Sequence, residues 1–104
     1  MTAVAGGQVR TRAERPMLIF FYRKSSGRCR RVEAFLAQVL QRRGNHDTFK
    51  VYRVDCDAEP ELAARFGVEA VPMLAVVEDR RLRRRLEEPR GCREITDFLA
   101  PWLR

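Results

Sequence analysis

The sequence predicts an α/β sandwich with its elements in the order β-α-β-α-β-β-α. Three observations carry that expectation. Residues 17 to 22, MLIFFY, are an unbroken apolar run, too short to span a bilayer and right for a buried strand. Behind it Val32, Phe35, Leu36, Val39 and Leu40 fall at i, i+3, i+4, i+7 and i+8, one face of a helix. Ile95, Phe98, Leu99, Trp102 and Leu103 repeat that spacing near the end of the chain, so a final helix packs on the sheet.

Residues 1 to 15 are small, polar or charged and include Gly6-Gly7, which predicts a flexible arm with a short ordered turn near Arg12. Residues 16 to 104 are then one domain with a single modest core. Pro16 introduces the first strand. Ser25 or Ser26 caps the first helix, which places Cys29 in its first turn, where free backbone N–H groups favour an anion or a thiolate. That helix is expected to run to Arg42-Arg43-Gly44, with basic residues in its last turn and Gly44 as the stop. Asn45-His46-Asp47 reads as a turn, and Phe49 to Cys56 as a second strand of β-branched and aromatic residues. Asp57 and Pro60 mark a second helix with Leu62, Ala63 and Phe66 on its buried side, and Gly67 ends it.

Pro72 precedes a third strand, Met73 to Val77, and Glu78 to Arg81 form a hairpin turn into Leu82 to Leu86. Arginine on both faces of that last strand suits a sheet edge, where charge discourages pairing with other molecules. In the final helix Pro101 lacks a backbone donor, so the last turn is expected to be distorted.

Composition narrows the function classes. The net charge is +7, but nineteen of the twenty-one basic residues are Arg, spread over several elements without an aromatic ladder or a reading motif, which argues against nucleic acid. No segment is long enough to cross a membrane, and the first apolar run has no cleavage-site pattern, so a cytoplasmic protein with free thiols is expected. Three cysteines without paired CxxC spacing and one distant histidine, His46, exclude a zinc site, and no cofactor is implied.

Taken together, the residues resemble the thioredoxin family over about residues 17 to 103. The apolar strand ending in Phe21-Tyr22, followed by Ser26-Gly27-Arg28-Cys29 opening a helix, is similar to the family's strand and CGPC turn. The run from Val54 to Val68, VDCDAEPELAARFGV, resembles its next strand and helix, and Val71-Pro72-Met73-Leu74 falls where the family carries its cis-proline. The resemblance implies a three-layer sandwich around a central mixed sheet, with Val71-Pro72 cis and a substrate groove formed by Val71, Pro72, Gly27 and Arg28.

It also locates departures. A thioredoxin attacks disulfides with the first motif cysteine and resolves the mixed disulfide with the second. Ser26 stands at the first position, and a hydroxyl has no comparable thiolate fraction. Ser25 replaces the family's tryptophan, Arg28 its proline, and Phe20 the buried aspartate that serves proton transfer. Cys29 remains as the motif's single thiol, and the resemblance places Cys56 beside the turn, where a Cys29–Cys56 pair or two separate thiols both stay open. Cys92 reads as incidental.

The implied function is thiol-disulfide redox of reduced or altered activity through Cys29, with possible help from Cys56. The alternative is a non-catalytic binding module that uses the proline groove and its basic rim. Arg23, Lys24, Arg28, Arg30 and Arg31 surround a helix N-terminus and are expected to bind an anion or a partner. The expected partner is a protein or peptide, thiol-bearing or acidic.

Overall fold

The computed structural model describes residues 15 to 103. The expected arm, apart from Arg15, and its turn near Arg12 lie outside the described residues. A four-stranded mixed sheet in the order β2-β1-β3-β4 forms the middle layer. Its strands are β1 (Met17–Tyr22), β2 (Lys50–Asp55), β3 (Met73–Glu78) and β4 (Arg81–Glu87). β2 runs parallel to β1, β3 antiparallel to β1, and β4 antiparallel to β3.

Strand alternation sorts the side chains of β1 onto two cores. Leu18 and Phe20 pack under α1 (Gly27–Gln41) and α3 (Cys92–Leu99), against Val32, Leu36, Val39, Ile95, Phe98 and Leu99. Ile19 and Phe21 point the other way, toward α2 (Pro60–Arg65), where Ala63 and the partly buried Leu62 and Phe66 cover them. Helices on both faces make the three layers, and the α/β architecture is the one the sequence predicts.

Element ends differ from expectation for local reasons. α1 stops at Gln41, so its last turn holds no basic residue; Arg42 is extended, and Arg43 and Gly44 are left-handed at φ 54° and 66°. The segment from Arg42 to Asp47 is a tight turn in which buried Asn45 donates to the Arg42 carbonyl and accepts from the Thr48 hydroxyl. α2 begins later than Asp57 suggests: the Asp57 N–H turns back to the Asp55 carboxylate, Glu59 is the N-cap, and Pro60 opens the helix. Gly67 ends it at φ 65°, a left-handed position that suits glycine.

α3 is shorter than the apolar spacing implies. It ends at Leu99, and Pro101 follows in a turn that still brings Trp102 against Phe49. β4 is a sheet edge, and a bulge between Val76 and Val77 leaves Arg83 without a partner across the ladder.

Candidate functional site

β1 delivers the chain to the carboxyl end of the sheet, and a polar turn over Arg23 to Ser26 redirects it into α1. The Ser26 N–H donates to the Arg23 carbonyl at 3.1 Å. Of the two candidate caps it is Ser26 that serves: its Oγ accepts from the Cys29 N–H at 3.2 Å. The hydroxyl at the first motif position is therefore engaged with the backbone of the last.

Cys29 is 2% exposed and packs with Leu18, Phe20 and Val32. Cys56, 7% exposed, extends the β2 ladder by donating its N–H to the Tyr22 carbonyl at 2.9 Å, which sets it at the edge of the same turn. Its side chain belongs to the opposite core, with Phe21, Val54 and Met73. Both cysteines are free thiols. Burial pushes the Cys56 thiol up, opposed by Arg23 and assisted by Asp55, Asp57 and Cys29. Phe20 is fully enclosed and stacks on Tyr22 at 5.5 Å between ring centroids, so the site has an aromatic ring where the resemblance expects a carboxylate.

Opposite the turn, the Val71-Pro72 peptide bond is cis and Pro72 is buried. The Pro72 carbonyl accepts from the Glu88 N–H at 2.7 Å, just beyond the end of β4. Glu88 is left-handed at φ 47°, and its carboxylate takes Arg28 Nη1 at 2.6 Å. A groove of about 840 Å³ lies here, floored by Pro72, Val32, Phe35 and Pro89. Arg28 and Arg31 line it from α1; Glu87 lines it from the end of β4, Glu88 and Arg90 from the β4–α3 link, and Glu94 from the start of α3.

The expected groove residues Arg28 and Pro72 thus meet in one cavity, while Gly27 is exposed at the start of α1 and Val71 packs against both cores. The basic turn is less free than its sequence suggests. Arg23 approaches Asp57 at 3.5 Å, Lys24 approaches Asp55 at 4.0 Å, Arg28 is held by Glu88, and Arg30 donates to the Lys24 carbonyl. Only Arg31 of the five lines the groove without a bond of its own among the described residues.

Sequence reading missed the acidic wall, since Glu87, Glu88 and Glu94 follow the sheet edge and show no motif. β4 is the exposed sheet edge that its arginines suggest, and two of them also reach back: Arg84 donates to the Phe98 carbonyl over that ring and Arg85 to the Phe66 and Gly67 carbonyls. His46 is exposed, and Cys92 Sγ lies 3.2 Å from Gln38 Oε1, between α1 and α3. Among the described residues, no group of three or more His, Cys, Asp or Glu side chains converges to hold a metal, and no helix is long and apolar enough to cross a membrane.

A family model described as thioredoxin matches residues 7–101. Thioredoxin 1 of Synechococcus elongatus is 30% identical over 64 residues, 62% of this chain and 58% of that protein. The match therefore spans less than two thirds of that relative's length. Thioredoxin of Mycolicibacterium smegmatis is 28% identical over 91 residues, covering 84% of this chain and 81% of the relative. Among solved structures, Trxlp from Edwardsiella tarda superposes with a TM-score of 0.75 at 21% identity, over 95% of this chain and 94% of that one. Fasciola hepatica thioredoxin gives 0.74 at 16% identity, over 97% and 94%. At such identities the two structures show the fold alone.

Proposed function

This chain belongs to the thioredoxin family, and on that premise we propose that it is a thiol-disulfide redox protein of reduced activity, working through Cys29 on a protein or peptide held in the Pro72 groove. The observation that carries the reading is that the motif's one thiol is 2% exposed behind the Ser26 hydroxyl. Access to Cys29 then requires the turn to open, and no exposed thiolate leads the attack.

The chemistry balances with one thiol and an external reductant. The Cys29 thiolate attacks one sulfur of a substrate disulfide; the S–S bond breaks, the other sulfur leaves as a thiolate, and Cys29 is held in a mixed disulfide. A second thiolate, from a small external thiol or from Cys56, attacks the Cys29 sulfur and displaces the substrate as its reduced thiolate; with the external thiol, a second equivalent then attacks the Cys29-bound external sulfur, releasing Cys29 and the oxidised external disulfide. With Cys56 the product is a Cys29–Cys56 bond, which needs the two side chains to leave their separate cores and an external dithiol to restore them. A chemistry of free thiols suits a reducing compartment such as the cytoplasm.

Reduction of insulin by an external dithiol, wild type beside Cys29→Ala, tests this. Slow turnover that Cys29→Ala abolishes supports it. Equal rates for both proteins overturn it and favour the second reading, a non-catalytic binding module using the same groove and its rim. The Arg28–Glu88 contact beside the groove favours that module, because it occupies the motif's own side chain with an internal partner.

A further inference from the structure

We infer that the groove beside Pro72 selects extended peptides bearing acidic side chains, read by Arg31 from α1 and Arg90 from the β4–α3 link. The inference rests on that groove being the partner site, and it names the partner's chemistry. By simple count the lining looks balanced, with three arginines and three glutamates. The bonding pattern breaks the balance.

Two of the glutamates are paired with arginines, and the third accepts from a neutral backbone N–H, which leaves its charge uncompensated. Glu87 Oε2 accepts from Arg85 Nη2 at 3.1 Å, Glu88 Oε1 from Arg28 Nη1 at 2.6 Å, and Glu94 Oε1 from the Arg90 backbone N–H at 2.8 Å. Arg28 is the partner of Glu88 and is engaged too. The guanidinium groups of Arg31 and Arg90 line the same cavity from two elements, are exposed, and have no hydrogen bond or ion pair among the described residues. The cavity thus offers two uncommitted cations against one uncompensated carboxylate, Glu94, above a floor of Pro72, Val32, Phe35 and Pro89. A volume of about 840 Å³ is within the range that holds a short peptide segment. Apolar side chains on the floor with carboxylates at the rims satisfy both features. A basic peptide would meet two free cations for the one uncompensated carboxylate.

The test uses the full chain and two capped, cysteine-free hexapeptides, one with two aspartates flanking an apolar pair and one with asparagines in their place. Binding is followed by backbone amide shifts, so redox chemistry does not enter. The acidic peptide is expected to bind about three- to tenfold more tightly at low salt, the scale of one or two exposed ion pairs. That margin should shrink as salt is raised. Arg31→Gln with Arg90→Gln should erase the margin between the two peptides. Both side chains are exposed and unpaired, so the variant keeps its fold. Equal affinity for the two peptides at the groove overturns the acidic selection and leaves the groove standing, as does a margin that survives in the double variant. Shifts from neither peptide around Pro72 overturn the groove itself, and the inference with it.

Discussion

Arg28 Nη1 lies 2.6 Å from Glu88 Oε1, tying the third residue of the SxxC turn to the residue whose N–H holds the Pro72 carbonyl. The pair is largely exposed, with side chains 67% and 43% accessible, so solvent screens it despite the short distance. Glu88→Ala should therefore cost less than about 1 kcal/mol in urea unfolding. Glu88→Gly should be more stable than Glu88→Ala by about 1 kcal/mol, because glycine tolerates the left-handed backbone at this position. The reverse order would show that the side chain, not the backbone, decides stability here.

The arginines of β4 divide into structural and surface members. Arg85 spans from the edge strand to the end of α2, donating to the Phe66 carbonyl at 3.1 Å and the Gly67 carbonyl at 2.9 Å. A six-residue helix is too short to persist by itself, and a cation on the carbonyls just past its end satisfies acceptors there and complements the helix dipole. Arg85→Ala is expected to lower stability by about 1–2 kcal/mol. Arg83→Ala, which loses only an exposed ion pair with Glu78, should change it by less than about 0.5 kcal/mol. Denaturant melts of the two variants compare them directly.

The contrast between Arg83 and Arg85 also shows what a sequence displays and what it hides. An unbroken apolar run exposed β1 and apolar periodicity exposed α1 and the α3 core, because burial acts on every residue of a face; Gly67 announced itself through backbone chemistry, and the cis Pro72 through the resemblance. The ends of α1 and α3 were misplaced because a left-handed Arg43 and the reach of Trp102 past Pro101 are tertiary choices. At the site, helical spacing put a serine cap and Cys29 in the first turn of α1, and only the resemblance to the thioredoxin family made Ser26 and Cys29 motif positions. The Arg28–Glu88 contact joins residues sixty apart in a chain rich in both charges, and no local pattern marks which arginine meets which glutamate.

Cys56 should make stability fall at alkaline pH. Its folded thiol is pushed up, chiefly by burial, so the folded state holds the proton where the unfolded chain releases it. Its contribution is fully present below the unfolded thiol value of about 8.5 and is lost as pH rises through the higher folded value. Urea melts from pH 7 to 10 should show wild type losing more stability above about pH 8.5 than Cys56→Ala does. Parallel curves would mean that burial does not protect this thiol. In the same window iodoacetamide should modify native Cys56 more slowly than the unfolded protein, since only the thiolate reacts.

Ser26→Cys should restore part of a dithiol activity, and the structure says why only part. The variant places a thiol where the Ser26 hydroxyl now accepts the Cys29 N–H, rebuilding a CxxC pair at the start of α1. Mild oxidation should then give a cross-link between the new thiol and Cys29, visible by mass spectrometry whatever the turnover. Two features of the site stay unfavourable. Phe20 is enclosed and stacked on Tyr22, so that position carries no carboxylate to move a proton, and Arg28 remains bound to Glu88 at the groove. A positioned proton-transfer group contributes roughly a hundredfold or more, so insulin reduction should exceed wild type yet fall about a hundredfold short of a dithiol with a buried carboxylate. Adding Cys29→Ala to the variant should remove the gain, because the mixed disulfide then has no resolving thiol. If Ser26→Cys forms the cross-link but reduces insulin no faster than wild type, the missing nucleophile is not what limits this protein, and the redox reading yields to the binding module.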